Sequence, residues 1–554
     1  MASSTTSSMM QVNELDTFDF DSKLVSLSIN LLYNHHILNE HEELRMSFKP
    51  TTEQQTCVTS YGKKQSFKVE AVAGSGKTST VKLMAESDDR TALYLAFNKA
   101  AATEAGEKMP FHVTCKTTHS IAYSVFGAKY RNKLSRPRGG YVNVAGTVSE
   151  ISKFFKVKST GSLSKNGFSR LAKITVAAFE SSSAFSLGEQ HISQGELDLL
   201  AKKADSKDEP FDRENVVKRV MELANKLWEA RIDLSSCVLI THDTYLKMYQ
   251  LSKPVLDYEV IFLDEAQDTS DCVIDIVTRQ TEHAQVVCVG DSFQAIYGWR
   301  GAVNALGKIQ SQSTPLSQSF RYGPAVAEVA TAILDGAMLV KGFDKIPTKI
   351  GKVDREKPYT MLFRTNAALI EEGLTLIDQG VNVDIAVDVK AYAKKMEAAV
   401  ALYYGDKRKA DKHQDICVFE DWSELLEEAD LVKGELLRIS KQVMSGEYRK
   451  TISVLNRYTK PRTSSILLTT AHKSKGMEYQ QVILADDFPS VMGEDNQYKP
   501  LNDMERNLMY VAATRAQGCL ELNQTVEDIM EYYKEMNEEG SIAVDVTMID
   551  EVVL

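Results

Sequence analysis

Ala73-Gly74-Ser75-Gly76-Lys77-Thr78-Ser79 has the residue types of a loop that grips phosphate. Glycines at 74 and 76 let backbone N–H groups turn toward phosphate oxygens with no side chain in the way. The N-terminus of a following helix favours the same negative charge. Lys77 is placed to reach the terminal phosphates of a nucleoside triphosphate, and Thr78 to coordinate its Mg²⁺. Ala71 stands where such loops usually carry their first glycine.

Further along, the apolar run Val260–Leu263 ends in Asp264-Glu265-Ala266-Gln267-Asp268. A carboxylate at the end of a buried strand can hold a metal's water shell, the role expected of Asp264, while Glu265 can polarise an attacking water. Gln294 follows another buried strand and could read the γ-phosphate. Tyr297, Trp299 and Arg300 lie among glycines just beyond it. An aromatic in such a turn suits stacking on the bases of a single strand, which grips without reading sequence. Arg321 and Arg515 are distant in sequence from the phosphate loop. An arginine brought across a domain interface stabilises transition-state charge and makes hydrolysis depend on closure. ATP and Mg²⁺ are therefore the expected cofactors.

These groups need strand ends to carry them. Strand alternates with helix around Phe67–Val72, Thr91–Phe97 and Val260–Leu263, and again from Thr314, which predicts an α/β fold of two domains with parallel sheets and flanking helices. The spacing predicts a nucleotide-binding domain over 47–130 and 226–313, interrupted by a largely helical insertion at 131–225. Sheet one is expected to resume at Cys237–Thr241. A second domain is expected over 314–387 and 461–540, interrupted at 388–460. Residues 1–46 read as an extension with a helix over Leu24–Leu38, and 541–554 as an acidic tail.

With 554 residues the chain is too long for one core, and 43% apolar with 25% charged residues is ordinary for a globular protein. No apolar run approaches the roughly 20 residues that span a bilayer, and the Ser/Thr-rich start lacks a secretory signal. Seven scattered cysteines without a Cys-x-x-Cys pair argue against disulfides and structural zinc, and for a reducing compartment, cytoplasm or nucleus. The net charge of −11 confines any nucleic-acid contact to a local groove.

The ordered set from Thr51 to about Leu522 resembles the UvrD/Rep branch of superfamily 1 helicases. It runs through Thr52-Glu53-Gln54, the phosphate loop, Phe97-Asn98-Lys99, Thr117-Thr118-His119-Ser120, Asp264–Asp268, Gly290–Gly301, Gln318–Arg321, Arg364-Thr365-Asn366, Thr470–Tyr479 and Glu505–Ala516. Cys115–Ser120 and Gly301–Leu306 are most similar to the eukaryotic F-box DNA helicase type, although residues 1–46 show no recognisable F-box. The resemblance implies tandem RecA-like domains and a monomeric ATP-dependent translocase moving 3′→5′ on single-stranded DNA and at single/double-strand junctions. It implies work in replication, repair or recombination beside the proteins of those pathways. By resemblance, Gln54 reads adenine, Phe320 stacks on it and Glu478 contacts the ribose. Phe97, Asn98, Thr118, His119, Arg364, Asn366 and His472 resemble contacts to DNA. Removal of recombinase filaments with little unwinding is an alternative output, and a non-enzymatic nucleic-acid-binding scaffold a second.

Overall fold

The computed structural model describes residues 49–538, apart from 135–144, 160–162, 207, 209, 299–301, 310, 433, 494 and 496. The expectations for 1–46, for the acidic tail, and for Trp299 and Arg300 lie outside the described residues. Thr56 onward forms one compact unit and the residues before it a separate one.

Short, wholly apolar runs bury both faces of a parallel sheet, so such strands read as continuous hydrophobic stretches. The first sheet is built this way. Its strands are β1 (Phe67–Ala71), β2 (Ala92–Leu95), β3 (Val113–Lys116), β4 (Val260–Leu263), β6 (Gln285–Gly290) and β8 (Ser313–Leu316), all parallel in the order β3-β2-β4-β6-β1-β8. A two-stranded ribbon, β5 (Thr269–Ser270) with β7 (Ala302–Val303), lies outside it. The second sheet holds β9 (Lys349–Ile350), β10 (Tyr359–Phe363), β11 (Val383–Ile385), β12 (Ile466–Thr470), β13 (Tyr479–Leu484) and β14 (Ala516–Glu521), parallel in the order β11-β12-β10-β13-β14-β9. Two parallel sheets with flanking helices are the α/β class that the alternation of strand and helix predicts.

Three expected boundaries move. β8 pairs with β1 from Lys68↔Ser313 to Ala71↔Leu316, so residues from 314 still belong to the first sheet. Its Pro315 and polar residues disguise a half-buried edge strand, the one position in a sheet where proline is tolerated. The end of the first insertion also shifts, because one helix, Arg213–Ile232, runs straight through 225. Val216, Val220, Leu223 and Leu227 bury a single stripe of it, with no breaker between. The start shifts too, since a 3₁₀ turn, Gly127–Lys133, crosses 130. Cys237–Thr241 is not a strand of the first sheet. Val238 makes a lone bridge to Ala145, and Thr241 caps the helix His242–Leu251.

The stretch expected to be the second insertion holds five helices among the described residues, from Val389 to Arg457. It has no core of its own. Tyr392, Met396, Leu402, Ile439 and Leu455 pack with Phe363, Ile385 and Leu468 of the second sheet. The first insertion does have one, around Phe168, Leu171, Val176, Leu223 and Leu227. A buried ion pair inside it is tied to the first domain by Thr244. Arg231 Nη1 donates to Glu180 Oε1 at 2.7 Å, and the Thr244 hydroxyl donates to the same oxygen at 2.6 Å. Breaking a buried pair from one side leaves an uncompensated charge. Arg231→Met is therefore expected to destabilise the protein by about 3–5 kcal/mol in urea unfolding. The double variant Glu180→Leu with Arg231→Met should recover most of that loss.

Candidate nucleotide and nucleic-acid site

The phosphate loop follows β1 at the carboxyl edge of the first sheet, where ligands of such sheets bind. Gly74 and Gly76 have φ of 77° and 80°, the left-handed region that favours glycine. A Cβ on Gly74 would sit 2.6 Å from Arg321 Cβ and 2.8 Å from Ser319 Oγ. The loop is tied down on its outer side. Ser319 Oγ donates to Ala73 O at 2.8 Å, the Phe320 amide donates to Gly74 O at 2.8 Å, and the Ala73 amide donates to the Tyr510 hydroxyl at 3.0 Å. The first amides of the helix Lys77–Glu86 have no intrahelical partner and remain for an anion. Ser75 is buried with its hydroxyl unpaired, and Ser79 is exposed.

Carboxylates face this loop. Lys77 Nζ lies 3.6 Å from Glu265 Oε2. Burial works against the lysine charge, yet Glu265, Asp291 and Asp264 together hold its pKa above the usual value. Asp264 is raised by burial and by neighbouring Glu265. Glu265 is held down by Lys77 and Lys475 against its own burial. Glu265 has φ of 50°, a strained conformation for a side-chain-bearing residue. Its carboxylate is fixed by Gln267 Nε2, which donates at 2.6 Å. The Tyr94 hydroxyl donates to Asp264 Oδ2 and also meets Thr78. Thr78 and Asp264 thus converge on one point. No cluster of three or more His, Cys, Asp or Glu suited to a metal occurs among the described residues. Such a spare oxygen set suits Mg²⁺, which takes few protein ligands and fills its shell with phosphate and water. Gln294 turns inward, its amide donating to Asp291 Oδ2 at 2.6 Å.

The two arginines reach the loop by different routes. Arg321 lies just beyond β8, so the first sheet's own edge strand delivers it. The next residue, Tyr322, already packs with Val482, Leu508 and Tyr510 of the second domain. Arg321 sits close enough to lower the Lys77 pKa. Its Nε donates to Glu478 Oε1 at 2.6 Å and its Nη1 to Thr514 O at 3.3 Å. Arg515 follows the helix Asp503–Ala513 and is fully buried. It donates to Val511 O, Met477 O and Thr514 Oγ1 but pairs with no carboxylate among the described residues. Burial and then Arg321 push its pKa well below the usual arginine value. A buried guanidinium set beside a second one lacks an anion, which fits a bound phosphate. Phe320 packs edge-on against Phe343 at 5.4 Å. Gln54 lies in the separate N-terminal unit, where its side chain accepts from the Thr51 amide at 3.0 Å.

A cleft of about 280 Å³ runs from Asp264 and Asp268 past Thr118 and His119 to Phe97 and Tyr297. The rings of Phe97, 48% exposed, and Tyr297 stack at 6.3 Å and 9°. The Tyr297 hydroxyl donates to His472 O at 3.2 Å. Lys475 lies 5.2 Å from the Tyr297 ring, pairs with buried Asp268 and donates to Gln294 O at 2.6 Å. A wider groove of about 950 Å³ continues past Phe97, Asn98 and His119 to Lys116, Tyr123 and His242. Asn98 caps the helix Lys99–Lys108, accepting from the Ala101 amide, and His119 Nε2 lies 3.1 Å from Asp243 Oδ1. Arg364 makes a bidentate contact to Glu505, its Nη2 at 2.5 Å, and Asn366 is exposed at the start of the helix Asn366–Asp378.

Residues 50–312 match the family described as the UvrD/REP helicase N-terminal domain, and 387–527 match the UvrD-like helicase C-terminal domain. The chain belongs to the UvrD/Rep helicase family. It is 30% identical over 508 residues to F-box DNA helicase 1 of Gallus gallus, covering 84% of this chain and 48% of that protein. It is 29% identical over 509 residues to F-box DNA helicase protein 1 of Schizosaccharomyces pombe, 83% of this chain and 56% of that one. A 116-residue stretch, 19% of this chain and 15% of the relative, is 28% identical to ATP-dependent DNA helicase PcrA of Leuconostoc citreum. The chain spans about half the length of the F-box relatives it matches.

Within this UvrD/Rep chain, sequence reasoning missed Tyr94, Asp268, Asp291, Lys475 and Tyr510 as parts of the site. Asp268, Asp291, Lys475 and Tyr510 stood inside quoted motifs, where their polar groups were a usable signal, whereas Tyr94 lay within a predicted strand with no motif to mark it. Gly74→Ala is expected to leave the fold standing at a cost of about 1–3 kcal/mol in backbone strain. It should abolish nucleotide binding, measured by calorimetry with a non-hydrolysable ATP analogue, because the loop must move off Ser319 and Arg321 to admit the methyl group.

Proposed function

We propose that this chain is an ATP-dependent DNA helicase that translocates 3′→5′ along single-stranded DNA. The reading rests on one arrangement above the others. Arg321 lies beside Lys77 of the phosphate loop, Arg515 lies buried beside Arg321, and Lys475 joins the acidic strand end to the Phe97–Tyr297 stack. Hydrolysis and strand grip therefore share side chains.

In this mechanism ATP lies against the amides of the phosphate loop, with Lys77, Arg321 and Arg515 on its terminal phosphates. Mg²⁺, held by Thr78 and Asp264, offsets phosphate charge when bound. Glu265 takes a proton from water as the water oxygen attacks the γ-phosphorus. The bond to the β–γ bridging oxygen breaks, and ADP and phosphate depart. Phe320 stacks on the adenine. Bases stack on Phe97, Tyr297 and Trp299. Asn98, Thr118, His119, Arg300, Arg364, Asn366 and His472 follow the strand. Stacking tolerates any base, which suits a motor.

Purified protein with Mg²⁺ is expected to hydrolyse ATP much faster when single-stranded DNA is added, with single-stranded RNA as the comparison. Arg515→Ala should lower the stimulated rate about 10³-fold while strand binding persists. An unstimulated rate would count against a motor. Phe97→Ala and Tyr297→Ala should each weaken strand binding by about 1–3 kcal/mol in fluorescence anisotropy, for every sequence alike. Displacement from duplexes tailed at the 3′ or the 5′ end tests the direction, and 5′-tail preference would reverse it.

A further inference from the structure

The second sheet has a crevice of its own. The chain leaves β10 through the helix Asn366–Asp378 to reach β11, and leaves β13 through the helix Asp503–Ala513 to reach β14, on the other side of the β10–β13 pair. The two helices also take opposite faces of the sheet. Leu369 and Ile370 pack with Phe363 on one, Leu508 and Val511 with Leu362 and Val482 on the other. Neighbouring strands whose connections part in this way leave a crevice beyond their carboxyl ends, the usual place for a ligand in an open α/β sheet. A groove of about 620 Å³ lies there, and it shares no lining residue with the cleft at Phe97 and Tyr297.

Met361, Phe363, Ala368 and Leu522 give the groove an apolar floor. Glu371, Glu372, Asp486, Asp487 and Glu521 stand around it with Arg355 and Arg438. Both cations are already engaged. Arg355 Nη2 donates to Glu521 Oε1 at 3.2 Å, and Arg438 Nη1 to Glu371 Oε2 at 3.0 Å. Asp487 is taken up by the Arg364 and Thr365 amides, both at 2.8 Å. Asp486 accepts the Gln524 amide at 3.5 Å, and among the described residues neither it nor Glu372 pairs with a cation. Such a rim repels a polynucleotide. It also repels residues 1–48 and 539–554, in which acidic side chains outnumber basic ones, and a second copy of net charge −11.

We propose that this groove docks a basic, apolar segment of a partner protein, with an aliphatic side chain on the floor and Lys or Arg side chains on Glu372 and Asp486. Charge complementarity selects the partner, and the floor rewards a segment that is not merely cationic.

Fluorescence anisotropy on the full chain uses a labelled peptide of three alanine-leucine-arginine-lysine repeats. One control has serine for each leucine, and a second has glutamate for each cation. The first peptide should bind, the serine peptide roughly tenfold more weakly and the glutamate peptide not at all. Glu372→Lys with Asp486→Lys should weaken the first peptide roughly tenfold. Glu214→Lys with Glu222→Lys, the same charge change on exposed positions of the first insertion, should leave it as in wild type. That contrast separates the groove from the general pull of an acidic chain. Ala368→Arg, which lays a cation over the floor from another element, should weaken the peptide as well. Strand-stimulated ATP hydrolysis in each variant reports that it is folded. Failure of the first peptide to bind, equal binding of the serine peptide, or equal effects of the two double variants overturns the proposal. So does self-association of the wild type that Glu372→Lys with Asp486→Lys abolishes, which makes the occupant a second copy.

Discussion

The phosphate loop keeps its shape because its own carbonyls and one of its amides are satisfied from outside. Ser319 and Phe320 cap Ala73 O and Gly74 O, and Tyr510 receives the Ala73 amide while donating to Asp291 at 3.3 Å. A buried backbone group without a partner costs free energy comparable to a lost hydrogen bond. The loop therefore cannot adopt its anion-gripping form unless the segment beyond β8 and the helix Asp503–Ala513 are both in place. The loop and the domain seam are one construction.

The seam continues to the strand side through Lys475. This cation touches Asp268 at the acidic strand end, the carbonyl of Gln294 and the face of Tyr297. Burial raises the Asp268 carboxyl to about 6 even with Lys475 alongside. A buried carboxylate tied so closely to one cation cannot lose it cheaply. Movement of the segment carrying Lys475 must then displace Tyr297 or strain Asp268. Chemistry near Glu265 and stacking at Phe97 are coupled through contacts of the ordinary kind, a charge pair and a cation over a ring.

Motifs made of glycine, charge and strand-end position were legible in the sequence, because their chemistry dictates both residue type and local backbone. The phosphate loop, Asp264, Glu265 and both parallel sheets are of this kind. What escaped depends on tertiary placement. β8 carries Pro315 and alternates exposed with buried residues, so nothing local marks it as part of the first sheet. The run Cys237–Thr241 is apolar enough for a strand but makes only one bridge among the described residues, since its Leu239 and Ile240 amides are spent on Ala145 O and Lys133 O. What was legible of Arg515 was a cation within the motif Tyr510–Ala516. Its complete burial was not, because that comes from Met477, Val511 and Thr514 closing around it.

Charge balance at the site argues for a particular form of ligand. Asp264, Glu265, Asp268, Asp291 and Glu478 outnumber Lys77, Arg321, Lys475 and Arg515, so the pocket without ligand does not carry an excess of positive charge. A bare polyphosphate entering it would meet carboxylates as well as cations, and a lone divalent ion would meet the cations. On the proposed nucleotide-binding reading, a metal–polyphosphate complex would bring both signs together, with Asp264 and Thr78 to hold the metal and Lys77 and the arginines to meet the phosphate oxygens. The depressed pKa of Arg515 and the raised one of Asp264 describe the same condition from two sides. Each group is buried beside a like charge, Arg321 for Arg515 and Glu265 for Asp264, and the proposed ligand would bring each the opposite one.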